Sequence, residues 1–159
     1  VVGYAHEQGK ALVLTVNKWD LVEKDADTMR AYEQHIRREL SFVEYAPITF
    51  VSAVTGQRVS DLLDVVKYAA NQHSLRISTG RLNEVLQEAI RLNQPPSDKG
   101  KSLKIFYMNQ VSVKPPVFAL FVNAPELLHF SYRRYLENRL REAFGFQGTP
   151  IWFKVRRRN

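Results

Sequence analysis

The segment ALVLTV at residues 11–16, followed at once by NKWD at residues 17–20, decides the fold of the first half of the chain. The run 11–16 is short, rich in β-branched residues and almost wholly apolar. This pattern predicts a strand that is buried on both faces of a parallel sheet. Open α/β sheets bind their ligands at the carboxyl ends of the strands, so the polar tetrad lies where we expect a binding site.

The residue types of the tetrad suit a guanine base. A carboxylate at Asp20 can accept hydrogen bonds from both the ring N–H and the exocyclic amino group of guanine, and adenine lacks that pair of donors. Asn17 can tie the loop together and reach the base edge, and the stem of Lys18 can lie over the base plane. Asn-Lys-x-Asp resembles the base-specificity motif of GTPases. The alternative is an ordinary strand-to-loop turn in which Asp20 caps the segment that follows.

A second loop is predicted to lie beside the first. PITFV at residues 47–51 is another short β-rich run, and Ser52 and Ala53 follow it. In GTPases the matching Ser-Ala loop points a backbone N–H at the exocyclic oxygen of guanine, and one helix-length segment separates the two loops as it does here. Taken without the tetrad, Ser52 and Ala53 fit an ordinary loop that leads into a helix better than they fit a base-binding loop.

Two helices are predicted around the second strand. The first follows the candidate N-caps Asp25 and Asp27 and ends before Pro47, because proline disfavours helix at the preceding residue. Its apolar positions are Met29, Tyr32, Ile36, Leu40 and Val43. The second helix starts near Ser60, with inward positions at Leu62, Leu63, Val65, Val66, Ala69 and Ala70. The order strand–helix–strand–helix is half of a doubly wound α/β domain.

The pattern changes after residue 73. We expect a helix capped by Thr79, a mobile polar loop at 97–101, and strands at 103–113 and 117–123. A helix capped by Ser131 and a strand at 149–156 follow. The order helix–strand–strand–helix–strand is that of a small α+β sandwich. The sequence therefore predicts α/β followed by α+β, with domains at 1–73 and 74–159.

Composition limits the classes of function. The chain has no cysteine, which excludes disulfides and thiolate metal sites, and its four histidines show no ligand spacing, so no metal site is predicted. The lack of cysteine favours a reducing cytosol, so we expect a cytoplasmic protein. No apolar run approaches the roughly 20 residues of a membrane span and no signal peptide is visible, so no membrane partner is predicted. Residues 1–72 carry a net charge of −2 and residues 73–159 carry +9. A basic second half favours a polyanionic partner, although a merely solvated surface is the alternative.

Five segments together resemble the bacterial GTPase family called Der or EngA. They are GYAHE at 3–7, NKWDL at 17–21, VSA at 51–53, QVSVKPP at 110–116 and FGFQGTP at 144–150. The resemblance covers the whole chain. It implies a P-loop-GTPase-type parallel sheet half followed by a KH-like αββαβ domain, as at the carboxyl end of such a protein. It also implies GTP or GDP as cofactor, magnesium in the intact parent, and the large ribosomal subunit, ribosomal RNA and the other GTPase domains as partners.

The phosphate-binding motifs of a GTPase are missing from these 159 residues. Gly100-Lys101-Ser102 ends like a phosphate loop, but the required first glycine is Pro95 and a strand is predicted where a helix should follow. No Asp has Gly three residues later, so the magnesium motif is absent too. We therefore expect no catalytic residues, no bound magnesium and no GTP hydrolysis by this chain alone, which would contact only the guanine part of the nucleotide.

Two features of the second half could contact RNA. Gly145 to Gly148 matches the Gly-x-x-Gly loop of KH domains, but a helix stop at Gly145 followed by a turn explains it better. The stronger candidates are basic. They are Arg133, Arg134, Arg139 and Arg141 on the last helix, and Arg156, Arg157 and Arg158 at the tail. Glu137 and Glu142 are spaced to pair with part of the helical set.

Three functions stay open on the sequence. The chain could belong to a GTP-driven switch in assembly of the large ribosomal subunit, supplying guanine recognition and the KH-like output domain. It could instead be a non-enzymatic RNA-binding module. It could also be an interaction domain that docks against GTPase domains and relays their nucleotide state.

Overall fold

A computed structural model describes residues 1–23 and 27–158 of the chain. They form two compact units. The first comprises Val1–His73 together with Gln147–Pro150, and the second comprises Ser74–Phe146 and Ile151–Asn159. What the two parts are in functional terms, a GTPase part at 1–73 and a KH-like domain at 74–159, stays a prediction at this point.

The first unit contains a small parallel sheet and three helices. Its elements are α1 (Val2–Glu7), β1 (Leu14–Val16), α2 (Thr28–Glu39), β2 (Ile48–Phe50) and α3 (Val59–His73). Short 3-10 turns follow β1 and α2, at Trp19–Leu21 and Ser41–Val43. Strands β1 and β2 run parallel with Leu14 opposite Ile48 and Val16 opposite Phe50. The predicted order strand–helix–strand–helix is therefore present, with both strands shorter than predicted.

The prediction that β1 is buried on both faces is wrong. Leu14 and Val16 are half-buried and Thr15 is exposed. Among the residues that the structure describes, the sheet has only the strands β1 and β2, so a single neighbouring strand flanks β1. Burial on both faces requires layers on both sides of the sheet, and an apolar run alone does not supply them.

The helices of the first unit are also more exposed than their patterns predict. No residue of α2 is buried, and α3 buries Ala69 alone, while Leu63 and Val66 are exposed. Helix α2 ends at Glu39, earlier than predicted. Asp27 does occupy its N-cap position, without a side-chain capping bond, and Asp25 lies outside the described residues.

The second unit is a three-stranded sheet with two long helices. Its elements are α4 (Thr79–Leu92), β5 (Ile105–Ser112), β6 (Val117–Val122), α5 (Phe130–Phe144) and β7 (Trp152–Arg157). Strand β6 is central, antiparallel to β5 and parallel to β7. This confirms the predicted order helix–strand–strand–helix–strand. The loop predicted at 97–101 is instead a hairpin of β3 (Ser97–Asp98) and β4 (Lys101–Ser102), which turns at Lys99 and Gly100, both with positive φ.

One hydrophobic core holds the second unit together. Its members include Leu82 and Leu86 of α4, Leu120 of β6, and Leu136 and Leu140 of α5. Both predicted helix caps are displaced. The Oγ of Ser78, not that of Thr79, accepts from the backbone N–H of Arg81 at 3.4 Å. His129 precedes α5, and Ser131 lies inside its first turn.

Candidate functional site

The loops after β1 and β2 lie side by side in the first unit. The backbone N–H of Val51 donates to the carbonyl of Val16 at 2.9 Å, and that of Trp19 donates to the carbonyl of Val51 at 3.0 Å. These two bonds extend the parallel strand pairing past the ends of both strands. The tetrad at 17–20 and the Ser52–Ala53 loop are thereby brought to one edge of the sheet, as the sequence predicts.

Two side-chain bonds join the loops directly. The Oγ of Ser52 donates to Oδ1 of Asp20 at 2.7 Å, and Ser52 itself is fully buried. The backbone N–H of Ala53 donates to Oδ1 of Asn17 at 3.1 Å. The N–H of Thr55 donates to the Ser52 Oγ at 3.2 Å, so this hydroxyl has both a donor and an acceptor role. Asp20 is held in one orientation by a buried hydroxyl, and Asn17 ties the two loops together.

The alternative role for Asp20, a simple helix cap, does not match the geometry. Asp20 lies inside the 3-10 turn Trp19–Leu21, whose N-cap is Lys18. That turn has no side-chain capping bond. The carboxylate of Asp20 bonds across to the other loop instead, and the residue is exposed.

Trp19 is a positioning residue that the sequence analysis missed. It is only 1% exposed, and its ring lies 4.7 Å from that of Phe50 and 5.3 Å, edge-on, from that of Tyr32. Its neighbours Lys18 and Asp20 are exposed, and Lys18 adopts a left-handed conformation with φ 59°. The buried indole anchors the loop while polar residues on both sides face solvent. A large aromatic residue inside an otherwise polar tetrad was the signal in the sequence.

The loop after Ser52 is a tight turn built from its own backbone. The N–H of Gly56 donates to the carbonyl of Ser52 at 2.8 Å, and the N–H of Ser52 donates to the carbonyl of Gln57 at 3.1 Å. Gly56 and Arg58 both have positive φ. Val54, at the tip of the turn, is almost fully exposed. The turn thus exposes its backbone next to Asp20 and keeps the side chain of Ser52 buried.

The site is chemically an exposed carboxylate, held by the buried hydroxyl of Ser52, next to an exposed lysine. A carboxylate held at one oxygen can still accept hydrogen bonds from two adjacent N–H donors on a planar ligand. An aliphatic lysine stem can cover the face of that ligand. Whether these groups bind guanine stays a prediction from the sequence.

Comparison with known proteins places the chain in a family. Residues 76–156 match the family described as the KH-domain-like of EngA bacterial GTPase enzymes, C-terminal. The chain belongs to the Der (EngA) family. The match begins just before α4 and ends within β7, so it covers the predicted KH-like domain.

Curated relatives agree with the family match along the full chain. GTPase Der of Alkaliphilus oremlandii is 60% identical over 156 residues, which is 98% of this chain and 36% of the relative. GTPase Der of Halothermothrix orenii is 58% identical over 158 residues, and that of Desulfitobacterium hafniense is 57% identical over 159. The chain spans 36% of the length of these relatives. The resemblance to the Der family drawn from the sequence is confirmed.

The arginines predicted to contact RNA differ in their surroundings, and several of them have partners within the chain. On α5, Arg139 pairs with Glu142 at 3.0 Å, and Arg141 pairs with Glu137 at 3.0 Å. Arg141 also donates to the carbonyl of Phe146 at 2.7 Å. The Glu partners were anticipated from their spacing. Arg133 and Arg134 are exposed on the same helix.

The tail arginines diverge because a strand alternates its side chains. Arg156 lies opposite Phe121 of β6 and is exposed. Arg157 points the other way and pairs with Glu126 at 3.0 Å. The guanidinium of Arg158 lies 5.7 Å from the ring centre of Phe106. Three consecutive arginines in the sequence therefore have three different environments.

The Gly-x-x-Gly letters at 145–148 serve the fold of the Der-family chain. Gly145 ends α5 with φ 96°, and Phe146 is fully buried. Gly148 is buried as well, and its carbonyl accepts from the backbone N–H of Leu12 at 2.8 Å. A loop that clamps an RNA backbone must expose its own backbone, so the interpretation as a helix stop and turn is the better one.

Two kinds of feature are absent from the residues that the structure describes. Within residues 1–23 and 27–158, no helix is both long and apolar enough to cross a membrane. The same described residues bring together no cluster of three or more histidine, aspartate or glutamate side chains suited to a metal ion.

Proposed function

We propose that this chain supplies the guanine-recognition loops and the KH-like output domain of a ribosome-assembly GTPase of the Der family. In this proposal residues 1–73 are the carboxyl-terminal half of a P-loop-GTPase-type domain, and residues 74–159 are the KH-like domain. Asn17, Lys18, Asp20, Ser52 and Ala53 bind the guanine base of GTP or GDP.

The bond between Ser52 and Asp20 carries the proposal. An exposed carboxylate is mobile, and fixing it before the ligand arrives lowers the entropy lost on binding. The buried hydroxyl of Ser52 fixes Oδ1 of Asp20 at 2.7 Å, while the exposed edge can accept the N–H pair of guanine. A base whose edge lacks that pair of donors leaves the carboxylate without its hydrogen bonds. Such a base therefore binds more weakly than guanine.

Catalysis belongs to the rest of the proposed GTPase. Phosphoryl transfer depends on groups that hold the phosphates and magnesium, and these 159 residues contain neither sequence motif for them. We therefore expect the intact protein to hydrolyse GTP with magnesium and this chain alone to show no phosphate release above a buffer blank. Release in the absence of contaminating enzymes would contradict the proposal.

The proposed partners are the large ribosomal subunit, ribosomal RNA and the other GTPase domains of the same protein, in the cytoplasm. The charge of +9 on residues 73–159 supports a polyanionic partner, since lysine and arginine contacts to phosphate supply most sequence-independent affinity for nucleic acid. The family name supports the GTPase part of the proposal.

Replacing the carboxylate of Asp20 with an amide tests base recognition. In a full-length protein that carries this chain, Asp20→Asn should weaken GDP and favour xanthosine diphosphate, because an amide can donate to the carbonyl oxygen that xanthine has in place of the amino group. Competition binding with both nucleotides measures the ratio. Asp61→Asn, on the first turn of α3, is the matched control and should leave the ratio unchanged. An unchanged ratio in Asp20→Asn removes Asp20 from base recognition.

A further inference from the structure

The sheet of the second unit has two faces of different character. Along β5, β6 and β7, the side chains of Met108, Leu120 and Val155 belong to the hydrophobic core, and their strand neighbours point to the opposite side. We call that opposite side the outer face. Its aromatic, basic and amide members are Tyr107, Asn109, Phe121, Trp152, Lys154 and Arg156.

The register places these residues in rows across the sheet. Tyr107 pairs with Phe121, which in turn pairs with Arg156. Asn109 pairs with Ala119, which pairs with Lys154, and Trp152 lies opposite Val117 at the end of the next row. Aromatic, basic and amide side chains therefore share this face with Ala119 and Val117, which are buried between them.

The aromatic residues of the outer face remain open to solvent. Trp152 is 41% exposed and Tyr107 is 36% exposed. The rings of Tyr107 and Phe121 lie 5.8 Å apart and are tilted by 47°. Trp152 and Tyr107 thus offer ring surface at two separate places on the face, with Phe121 beside Tyr107. Aromatic rings on an open sheet are stacking platforms for unpaired bases in single-stranded nucleic acid.

The charge of the outer face has one sign. No aspartate or glutamate occurs in β5, β6 or β7, whereas Lys154 and Arg156 project from the face itself. Arg157, on the other side of β7, is paired with Glu126 and contributes little free charge. Lys154 and Arg156 make no ion pair within residues 1–23 and 27–158. Two unneutralised cations between aromatic rings suit a ligand that carries both phosphates and bases.

We propose that the outer face binds single-stranded RNA, stacking bases on Trp152 and on Tyr107 with Phe121, and holding phosphates with Lys154 and Arg156. This rests on the proposed association with ribosomal RNA and assigns it to a particular surface. Double-stranded RNA does not fit, because its bases are stacked on each other and hidden from a flat aromatic sheet. The Gly-x-x-Gly segment at 145–148 is not an alternative RNA-binding surface, since Phe146 and Gly148 are buried.

Binding of a labelled oligonucleotide to the 159-residue chain tests the aromatic part. The probe is a fluorescein-labelled single-stranded oligouridine of about ten nucleotides, followed by anisotropy. Trp152→Leu and Tyr107→Leu keep apolar side chains but remove the rings, and each should weaken binding roughly tenfold. Phe130→Leu is the matched control, because Phe130 is 75% exposed in the same unit at the start of α5. It should leave affinity unchanged.

A salt titration tests the basic part with the same probe. Lys154→Gln and Arg156→Gln should each reduce the log–log salt slope by about 0.7, the value for one phosphate contact of a single strand. Arg157→Gln is the control, since that guanidinium pairs with Glu126. A duplex of equal length should compete poorly for the labelled strand.

Tryptophan fluorescence shows whether RNA binds next to Trp152. The chain has two tryptophans, of which Trp19 is buried and Trp152 is exposed. Oligouridine should therefore quench emission from Trp152, and Trp152→Leu should abolish the quenching while retaining the Trp19 signal. Thermal melting of each variant, followed by circular dichroism, distinguishes a loss of RNA binding from a loss of folding.

The outcomes separate this inference from the proposed function. If the Trp152, Tyr107 and Phe130 variants bind oligouridine with equal affinity, the proposal that the outer face binds RNA is wrong. If binding falls instead in Arg133→Gln or Arg134→Gln, RNA association stands and its surface lies on α5. If no RNA binds at low salt, or if the outer-face variants impair only docking to other GTPase domains, the face is not an RNA surface. Guanine recognition is judged separately, by Asp20→Asn.

Discussion

A Cβ atom added to Gly148 would lie 2.5 Å from the Cβ of Ala69, closer than such atoms approach in real structures. Gly148 has φ 89°, and its N–H donates to the carbonyl of Tyr45 at 2.7 Å. The residue is therefore fixed by two requirements, a left-handed backbone and close approach to α3. Both belong to the packing of the first unit and neither involves a ligand.

Gly148→Ala should therefore lower stability by about 2–4 kcal/mol, combining the cost of positive φ with overpacking against Ala69. Gly100→Ala is the matched control, because Gly100 has φ 80° and nothing within 4 Å of an added Cβ. It should lose only about 1 kcal/mol. Chemical denaturation of both variants measures the difference. Equal losses would show that the contact with Ala69 relaxes without cost.

Arg141 is predicted to stabilise the fold more than it contacts RNA. Its side chain is 18% exposed and bonds both Glu137 and the carbonyl of Phe146, so Arg141→Met should cost about 2 kcal/mol. Arg133→Met, at an exposed position of the same helix, should stay within about 0.5 kcal/mol of the parent. Thermal denaturation distinguishes them. An unchanged melting temperature with weakened RNA binding in Arg141→Met would assign Arg141 to the RNA surface.

Tyr132 should give the second unit a sensitivity to alkaline pH. Burial, reinforced by the neighbouring Tyr135, raises the pKa of Tyr132 from 10.0 to about 12, and its hydroxyl donates to the carbonyl of Asn93 at 2.8 Å. The folded state therefore favours the neutral phenol. Its contribution to stability is complete below pH 10 and is lost as pH rises toward 12, at up to about 1.4 kcal/mol per pH unit.

Tyr132→Phe isolates this effect. The variant should lose about 1 kcal/mol at neutral pH, because the carbonyl of Asn93 loses its donor. Between pH 10 and about pH 11 its stability should fall less than that of the parent, since the other tyrosines contribute equally to both proteins. Urea denaturation at several pH values provides the comparison. Parallel curves for the two proteins would mean that Tyr132 ionises freely in the folded state.

The meeting of the two loops at the strand ends was predictable because it depends on short-range rules. Parallel strands bring their following loops to one edge, so the tetrad and the Ser52 loop had to meet once β1 and β2 were recognised. The hydrogen bond from Ser52 to Asp20 joins the two loops there, and the sequence did not predict it. Trp19 was missed because the buried position inside the polar tetrad depends on Phe50 and Tyr32, which lie far away in sequence.

Burial and charge pairing were harder to predict because they depend on neighbours. Apolar periodicity on α3 suggested an inward face, yet Leu63 and Val66 are exposed where no described residue covers them. The three tail arginines looked equivalent, but strand alternation sends Arg157 to Glu126 and leaves Arg156 on the outer face. A local sequence pattern indicates whether a segment is a helix or a strand, whereas tertiary packing decides which residues contact each of its faces.

Ser52 should affect the strength of guanine binding without changing which base is preferred. Ser52→Ala removes the donor that fixes Oδ1 of Asp20 and the acceptor for the N–H of Thr55, but it leaves the carboxylate in place. Losing roughly 1 kcal/mol of pre-organisation corresponds to about fivefold weaker binding of both guanosine and xanthosine diphosphate. The ratio between the two nucleotides should stay that of the parent, unlike the shifted ratio expected for Asp20→Asn.

Competition binding in a full-length protein that carries this chain measures both quantities. Ser60→Ala is the control, because Ser60 is exposed on the first turn of α3 and should alter neither affinity nor ratio. A changed ratio in Ser52→Ala would mean that Ser52 contacts the base itself. Unchanged affinity would mean that Asp20 is held by other contacts once nucleotide binds, and the bond between Ser52 and Asp20 would then be a feature of the unliganded loops.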